Sequence, residues 1–118
     1  MTKSAVVHDE AFEAARGTLR KHIWLVQAAV AHVTGVALKD LCASTRSGPR
    51  AALARQLAMY LSHVVFAMSL TEVARGFGRD RSTAAHAFRR IEELREDPEL
   101  DRTLCWLEAM LRRAGRLP

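Results

Sequence analysis

The stretch Ser69-Leu70-Thr71-Glu72-Val73-Ala74-Arg75-Gly76-Phe77-Gly78-Arg79-Asp80-Arg81-Ser82-Thr83-Ala84-Ala85-His86-Ala87 decides how this chain is read. Ser69 and Glu72 form a capping-box pattern, in which the serine hydroxyl accepts from the glutamate amide and the glutamate reaches back. A short helix follows, with Val73, Ala74 and Phe77 inward, and Gly78 stops it. After one turn, Asp80 stands where a cap would open a second helix, running to about Glu96 and burying Ala84, Ala87, Phe88, Ile91 and Leu94. A short capped helix and a longer one across a tight glycine turn make a helix-turn-helix pattern.

Outward from this pair the pattern stays helical. Pro49 fits the first turn of a preceding helix to about Phe66, with Leu53, Leu57, Tyr60, Leu61 and Val64 inward. Asp97-Pro98 opens a last helix with Leu100, Leu104, Leu107 and Leu111 on one stripe. At the other end, residues 1 to 8 read as a loose end and Asp9 as a cap. Phe12, Leu19, Ile23, Val26, Val30 and Val33 then recur at helical spacing up to Thr34-Gly35, as one long helix or two meeting at Gly17. Their near-heptad spacing admits a homodimer through residues 9–33, with an ordinary core face the simpler reading. A short helix over Leu38–Cys42 leads into the loop Ala43–Arg50, rich in small, polar and basic residues. No strand pattern or repeat is present, so the expected fold class is all-α, a compact multi-helix domain with a helix-turn-helix. The expected division is an N-terminal extension over 1–20, helical from about 9, and a domain over 21–118.

The 118 residues are 49% hydrophobic with 6% aromatics, enough for one domain with a core of its own. The formal net charge of +5 is concentrated. Residues 44–95 hold nine arginines against four acids, which accounts for the whole excess, and the remainder carries nine of each sign. Cys42 and Cys105 lack any zinc-ligand spacing and read as reduced core thiols. His8, His22, His32 and His63 share no ligand spacing either, and Trp24 and Trp106 read as core or interface anchors. The N-terminus has no secretory apolar core, and Ile23–Leu38 is too short and polar to span a bilayer. A cytoplasmic, nucleoid-associated protein with no membrane partner, no cofactor, no metal and no small-molecule substrate is expected. No nucleophile–base pair or carboxylate pair can be assembled, so an enzyme is not expected.

On the second helix of the pair, Arg81, Ser82, Ala85, His86, Arg89 and Glu93 face away from the apolar stripe. Hydrogen-bonding groups near the helix start, small residues that permit close approach and cations beyond are what reading a DNA groove requires.

Residues Phe77 to Ala87 resemble the signature of the C-terminal DNA-binding domain of the bacterial replication initiator DnaA, which reads roughly F-G-G-R-D-H-[ST]-T-V-x-H-A. Ala54-Arg55-Gln56-Leu57-Ala58-Met59-Tyr60-Leu61, Ser69–Val73, and Val33-Thr34-Gly35-Val36 with Leu41 and the loop to Arg46 match in order. The resemblance covers about residues 22 to 113. It implies a fold like that domain and the Trp repressor, double-stranded DNA as partner, and a DNA-reading module without the initiator's ATPase, since no phosphate-loop motif is present. It places Arg79, Asp80, Arg81, Ser82, Thr83 and His86 against the major groove, with Arg89 and Arg90 as flanking cations. Arg46, or Arg50 in its stead, would enter the minor groove. Arg55 and Gln56 would hold the phosphate backbone, and Leu70 and Thr71 would abut DNA at the start of the short helix. Four departures stand out: one glycine of the Gly-Gly pair is missing, Arg81 replaces His, Thr71 replaces Pro, and Ala84 replaces Val. A transcriptional regulator is the expected role, with a replication modulator competing for initiator boxes, or a protein-interaction module, as alternatives.

Overall fold

The computed structural model describes residues 2–43 and 48–117, with side chains from residue 10 onward. Six helices make up the fold: α1 (Thr2–Thr34), α2 (Leu38–Leu41), α3 (Pro49–Phe66), α4 (Leu70–Phe77), α5 (Arg81–Leu94) and α6 (Pro98–Gly115). No strand occurs among the described residues, in agreement with the all-α expectation.

Helix α3 is the hub, packing against α1, α5, α4, α2 and α6. Its Leu57, Ala58, Tyr60 and Leu61 meet Val26 and Val30 of α1, Leu41 of α2, Ile91 of α5, and Leu104, Leu107 and Leu111 of α6 in one core. A second cluster, Ile23, Met59, Met68, Val73, Ala74, Ala84 and Ala87, seats α4 and α5 on α1 and α3. The small alanines at 74, 84 and 87 let α4 and α5 approach closely. Gly76 does the same toward α1, since a Cβ there would lie 2.2 Å from Ile23 Cδ1.

The local signals of the sequence hold. Pro49 and Pro98 begin their helices, and the Asp97 side chain accepts from the Glu99 amide at 3.1 Å. Helix α3 ends on Ala67 in the left-handed region (φ 54°, ψ 28°), a conformation that glycine would adopt more readily. At the start of the chain the expectation fails, because α1 begins at Thr2 rather than after Asp9. Thr2 to His8 contain no glycine or proline, so nothing interrupts the helix upstream of the good capping residue. Gly17 does not divide α1, which leaves the single long helix of the two readings.

Several side chains also lie elsewhere than expected. Phe12 is 59% exposed, Trp24 60% and Trp106 57%, and Val33 and Leu53 are exposed as well. Trp24 and Trp106 sit opposite the buried stripes of α1 and α6, so neither is a core anchor. Cys42 and Cys105 are free and exposed, not core thiols.

One polar cluster joins α3, α5 and α6. Arg95 donates to Asp101 at 2.6 Å, to Glu108, to the Tyr60 hydroxyl at 3.0 Å and to Cys105 Sγ at 3.3 Å. Tyr60 in turn donates to Glu92 Oε1 at 2.8 Å. Burial first, and then this bond to Glu92, push the Tyr60 phenol up to about 12. A raised phenol pKa favours the folded state while the group is neutral in both states. Stability is therefore expected to be undiminished by this group below pH ~10 and to fall as pH rises from there toward 12. Urea midpoints across that range, compared with those of Tyr60→Phe, measure the effect.

Candidate nucleic-acid interface

The helix-turn-helix pair forms as its residues dictate. The Ser69 hydroxyl accepts from the Glu72 amide at 3.1 Å, and the Glu72 carboxylate accepts from the Ser69 amide at 2.9 Å, completing the capping box. At the far end Gly78 takes φ 64°. The Arg79 amide donates to Ala74 O at 2.8 Å and the Gly78 amide to Arg75 O at 3.3 Å, the bond pair of a Schellman stop. A single glycine thus suffices to close this turn. Asp80 occupies the cap position of α5, but its side chain makes no capping bond; its backbone carbonyl receives the Thr83 and Ala84 amides at 3.0 and 3.2 Å. The expected carboxylate cap is absent, and the Asp80 side chain stays exposed.

At 100° per residue, the outermost stripe of α5 runs through Ser82, Arg89, His86 and Glu93, opposite buried Ala84, Ala87 and Ile91. Arg81 and Ala85 lie on one flank of that stripe, and Thr83 and Arg90 on the other. Arg81, Ser82, Thr83, His86, Arg89 and Arg90 are all exposed. Thr83 does not turn inward. Glu93 at the far end sets a carboxylate where the cationic part of the stripe stops. On α4, Thr71 is exposed and Leu70 half-buried. Arg75, also exposed, lies one turn beyond Thr71 on the same stripe. The sequence reading does not place Arg75 at the site; the signal for it is its i+4 spacing from Thr71.

Three of the singled-out arginines have further work. Arg50 Nη2 donates to Thr34 O at 2.7 Å, at the end of α1. Arg55 Nε and Nη2 donate to Leu41 O and Asp40 O at 3.1 and 3.0 Å, satisfying the C-terminal carbonyls of α2. Arg79 Nη2 donates to Ala43 O at 2.8 Å. Burial, and then the nearby charge of Arg79, hold Arg55 below the usual arginine range. A guanidinium has five N–H donors, so the bonds of Arg50 and Arg55 leave others for an anion. Arg46 lies outside the described residues. The chain on either side of it is placed nonetheless: Ala43 is tied to Arg79, two residues before α5 begins, and Arg50 to the end of α1. The base of the basic loop and the start of α5 therefore sit on one side of the molecule. Gln56 is half-buried beside Arg55.

Among the described residues no group of three or more His, Cys, Asp or Glu could hold a metal ion, and no helix is long and apolar enough to cross a membrane.

These features define a helix-turn-helix domain with an exposed, polar and cationic face. Residues 23–91 match the family described as the bacterial dnaA protein helix-turn-helix. The chain is 37% identical over 91 residues to the chromosomal replication initiator protein DnaA of Levilactobacillus brevis, covering 75% of this chain and 20% of that protein. It is 38% identical over 89 residues to the DnaA of Laribacter hongkongensis, covering 74% and 18%. It thus spans about a fifth of the length of these curated relatives. A crystal structure of a DNA replication initiation factor superposes with a TM-score of 0.79 at 30% identity, covering 89% of this chain and 32% of that one. A replication initiator DnaA bound to AMPPCP and single-stranded DNA gives 0.75 at 29% identity, covering 90% and 32%. The chain belongs to the bacterial dnaA protein helix-turn-helix family.

Proposed function

We propose that this chain recognises a specific double-stranded DNA sequence and acts as a transcriptional regulator, by binding alone and without catalysis. Helix α5 enters the major groove with Arg81, Ser82, Thr83 and His86 toward base edges, and Arg79 and Asp80 at its mouth. Arg89 and Arg90 flank the groove, and Arg46 or Arg50 approaches the adjacent minor groove. Arg55, Gln56, Leu70 and Thr71 lie along the backbone, joined by Arg75. The observation that carries this reading is the Arg79–Ala43 bond, which brings the foot of the basic loop beside the start of the exposed α5 stripe. DNA binding of this kind would associate the protein with the nucleoid.

Phosphate neutralisation supplies salt-dependent affinity, and base contacts supply discrimination. Arg81→Ala is expected to relax sequence preference by about 1–3 kcal/mol at the base it reads. Arg55→Ala is expected to weaken all duplexes alike and to flatten the log–log salt slope by about one. If both variants bind matched and scrambled duplexes as the parent does, the assignment is wrong. Selection of bound duplexes from a random pool tests the function itself, and failure to enrich any sequence would overturn it.

Retention of Asp80, Ser82, Thr83 and His86 in the signature supports a second role, occupation of initiator boxes in competition with a full-length initiator. Arg81, in place of the family's His, argues for a shifted sequence preference. Competition on origin DNA separates the two roles.

A further inference from the structure

We infer that the projecting half of α1 is a self-association arm, which pairs antiparallel with the same segment of a second copy of this chain. This goes beyond the DNA-binding reading and does not depend on it.

Three observations lead there. Within the body, the α1 stripe that includes Ile23, Val26 and Val30 is fully packed. The same stripe continues toward the N-terminus through Leu19, Ala15 and Phe12 at helical spacing, but residues 10–18 are all exposed and Phe12 is 59% exposed. The molecule is correspondingly elongated, 55 × 31 × 24 Å. A helical segment of this length has little stability in water without a packed face, and Gly17 weakens it further. An apolar stripe that outruns its own core calls for a covering surface.

The charges identify the occupant. Glu10 and Glu13 precede the midpoint of the exposed segment, and Arg16, Arg20 and Lys21 follow it. A helix whose charge changes sign at its centre is complementary to itself when run antiparallel. Parallel pairing would set acids against acids and bases against bases. Around a two-fold axis near Ala14–Ala15, Glu13 of one copy meets Arg16 of the other, and the Phe12 and Leu19 knobs interleave. Ala15 on the stripe and Ala11 at its edge permit close approach at the crossing. In the single chain Arg16 and Glu13 pair only across exposed surface at 3.4 Å, and Arg16 lies over the Phe12 ring at 5.8 Å. Both contacts can be exchanged for equivalents in the partner copy.

Sedimentation equilibrium of the full chain, without DNA and up to millimolar concentration, is the test. The parent is expected to rise from 13.1 kDa toward twice that mass, and Phe12→Glu to stay at the single-chain mass. Phe12 is too exposed for its loss to unfold the body, and circular dichroism checks this. Glu13→Arg should also abolish association, because it sets arginine against arginine. The double variant Glu13→Arg/Arg16→Glu should restore it. A parent that remains at one chain's mass throughout, a Phe12→Glu protein that associates like the parent, or a double variant no better than Glu13→Arg would each overturn the arm. None of these results bears on single-site DNA binding, which is read separately with a duplex in excess.

Discussion

Arg95→Ala should unfold more readily than the parent by about 3 kcal/mol, the largest stability loss expected from any polar substitution in this chain. Only 17% of the Arg95 side chain and 12% of Glu108 are exposed. Removing the arginine strips Glu108 of its close partner. Arg112, at 3.7 Å and 45% exposed, compensates poorly. Tyr60 loses a donor at the same time. The Asp101 end of the cluster is nearly half exposed and contributes little to the sum. Urea denaturation of the purified variant reads the difference, and a change under about 1 kcal/mol would show that Arg95 is a solvated surface charge and not a clasp between α3, α5 and α6. Arg95→Lys should recover only part of the loss, since one ammonium cannot serve carboxylates, phenol and thiol in a planar fork.

The double substitution Ser82→Ala/His86→Ala is expected to leave stability almost unchanged and to weaken binding to the preferred duplex roughly a thousandfold. Both side chains are exposed on the outermost stripe of α5, one turn apart. Neither takes part in the core, so thermal unfolding should coincide with that of the parent. Two base contacts at about 2 kcal/mol each give the thousandfold figure. Binding to unrelated DNA should persist, because the arginines that neutralise phosphates are untouched. Titration of a matched and a scrambled duplex at one fixed salt concentration distinguishes the cases. Equal weakening on both would mean that these residues serve affinity alone.

The fold was legible at most of its local signals, the Asp9 helix start and the Asp80 carboxylate cap excepted. The Ser69–Glu72 box, Gly78, Pro49 and Asp97-Pro98 act over one turn of chain, and the structure realises each of them. Helical phase likewise named the buried faces of α3, α5 and α6, since period alone determines which residues share a side. Phase cannot say where the body ends along a helix. Phe12 lies on the right stripe of α1 and is exposed because nothing stands beside it at that height. Leu53 is exposed for another reason: Ala51 and Ala54 at the same height of α3 are buried, and Leu53 lies at the edge of the stripe they belong to. The tryptophans were read from residue type, and type is overruled by phase when a large ring sits opposite the stripe.

The site was legible in outline. The signature on α5 named four exposed residues on the open side of the helix, because outward residues of such a helix are those left over from its core stripe. What residue type could not disclose is the nearest acceptor of an arginine. Arg50, Arg55 and Arg79 were read as cations for DNA, and in the folded chain each also binds a carbonyl from a neighbouring helix end or loop. A carbonyl that is orphaned by a short helix is invisible until the helix is placed, and α2 has only four residues.

The bare backbone at residue 76 has a mechanical consequence. Because no side chain intervenes there, the back of α4 rests directly on Ile23, at the point where α1 leaves the body. At that point α1 and α4 are separated by the Ile23 side chain alone. Any side chain at residue 76 would have to displace the Ile23 methyl before α4 could settle on α1.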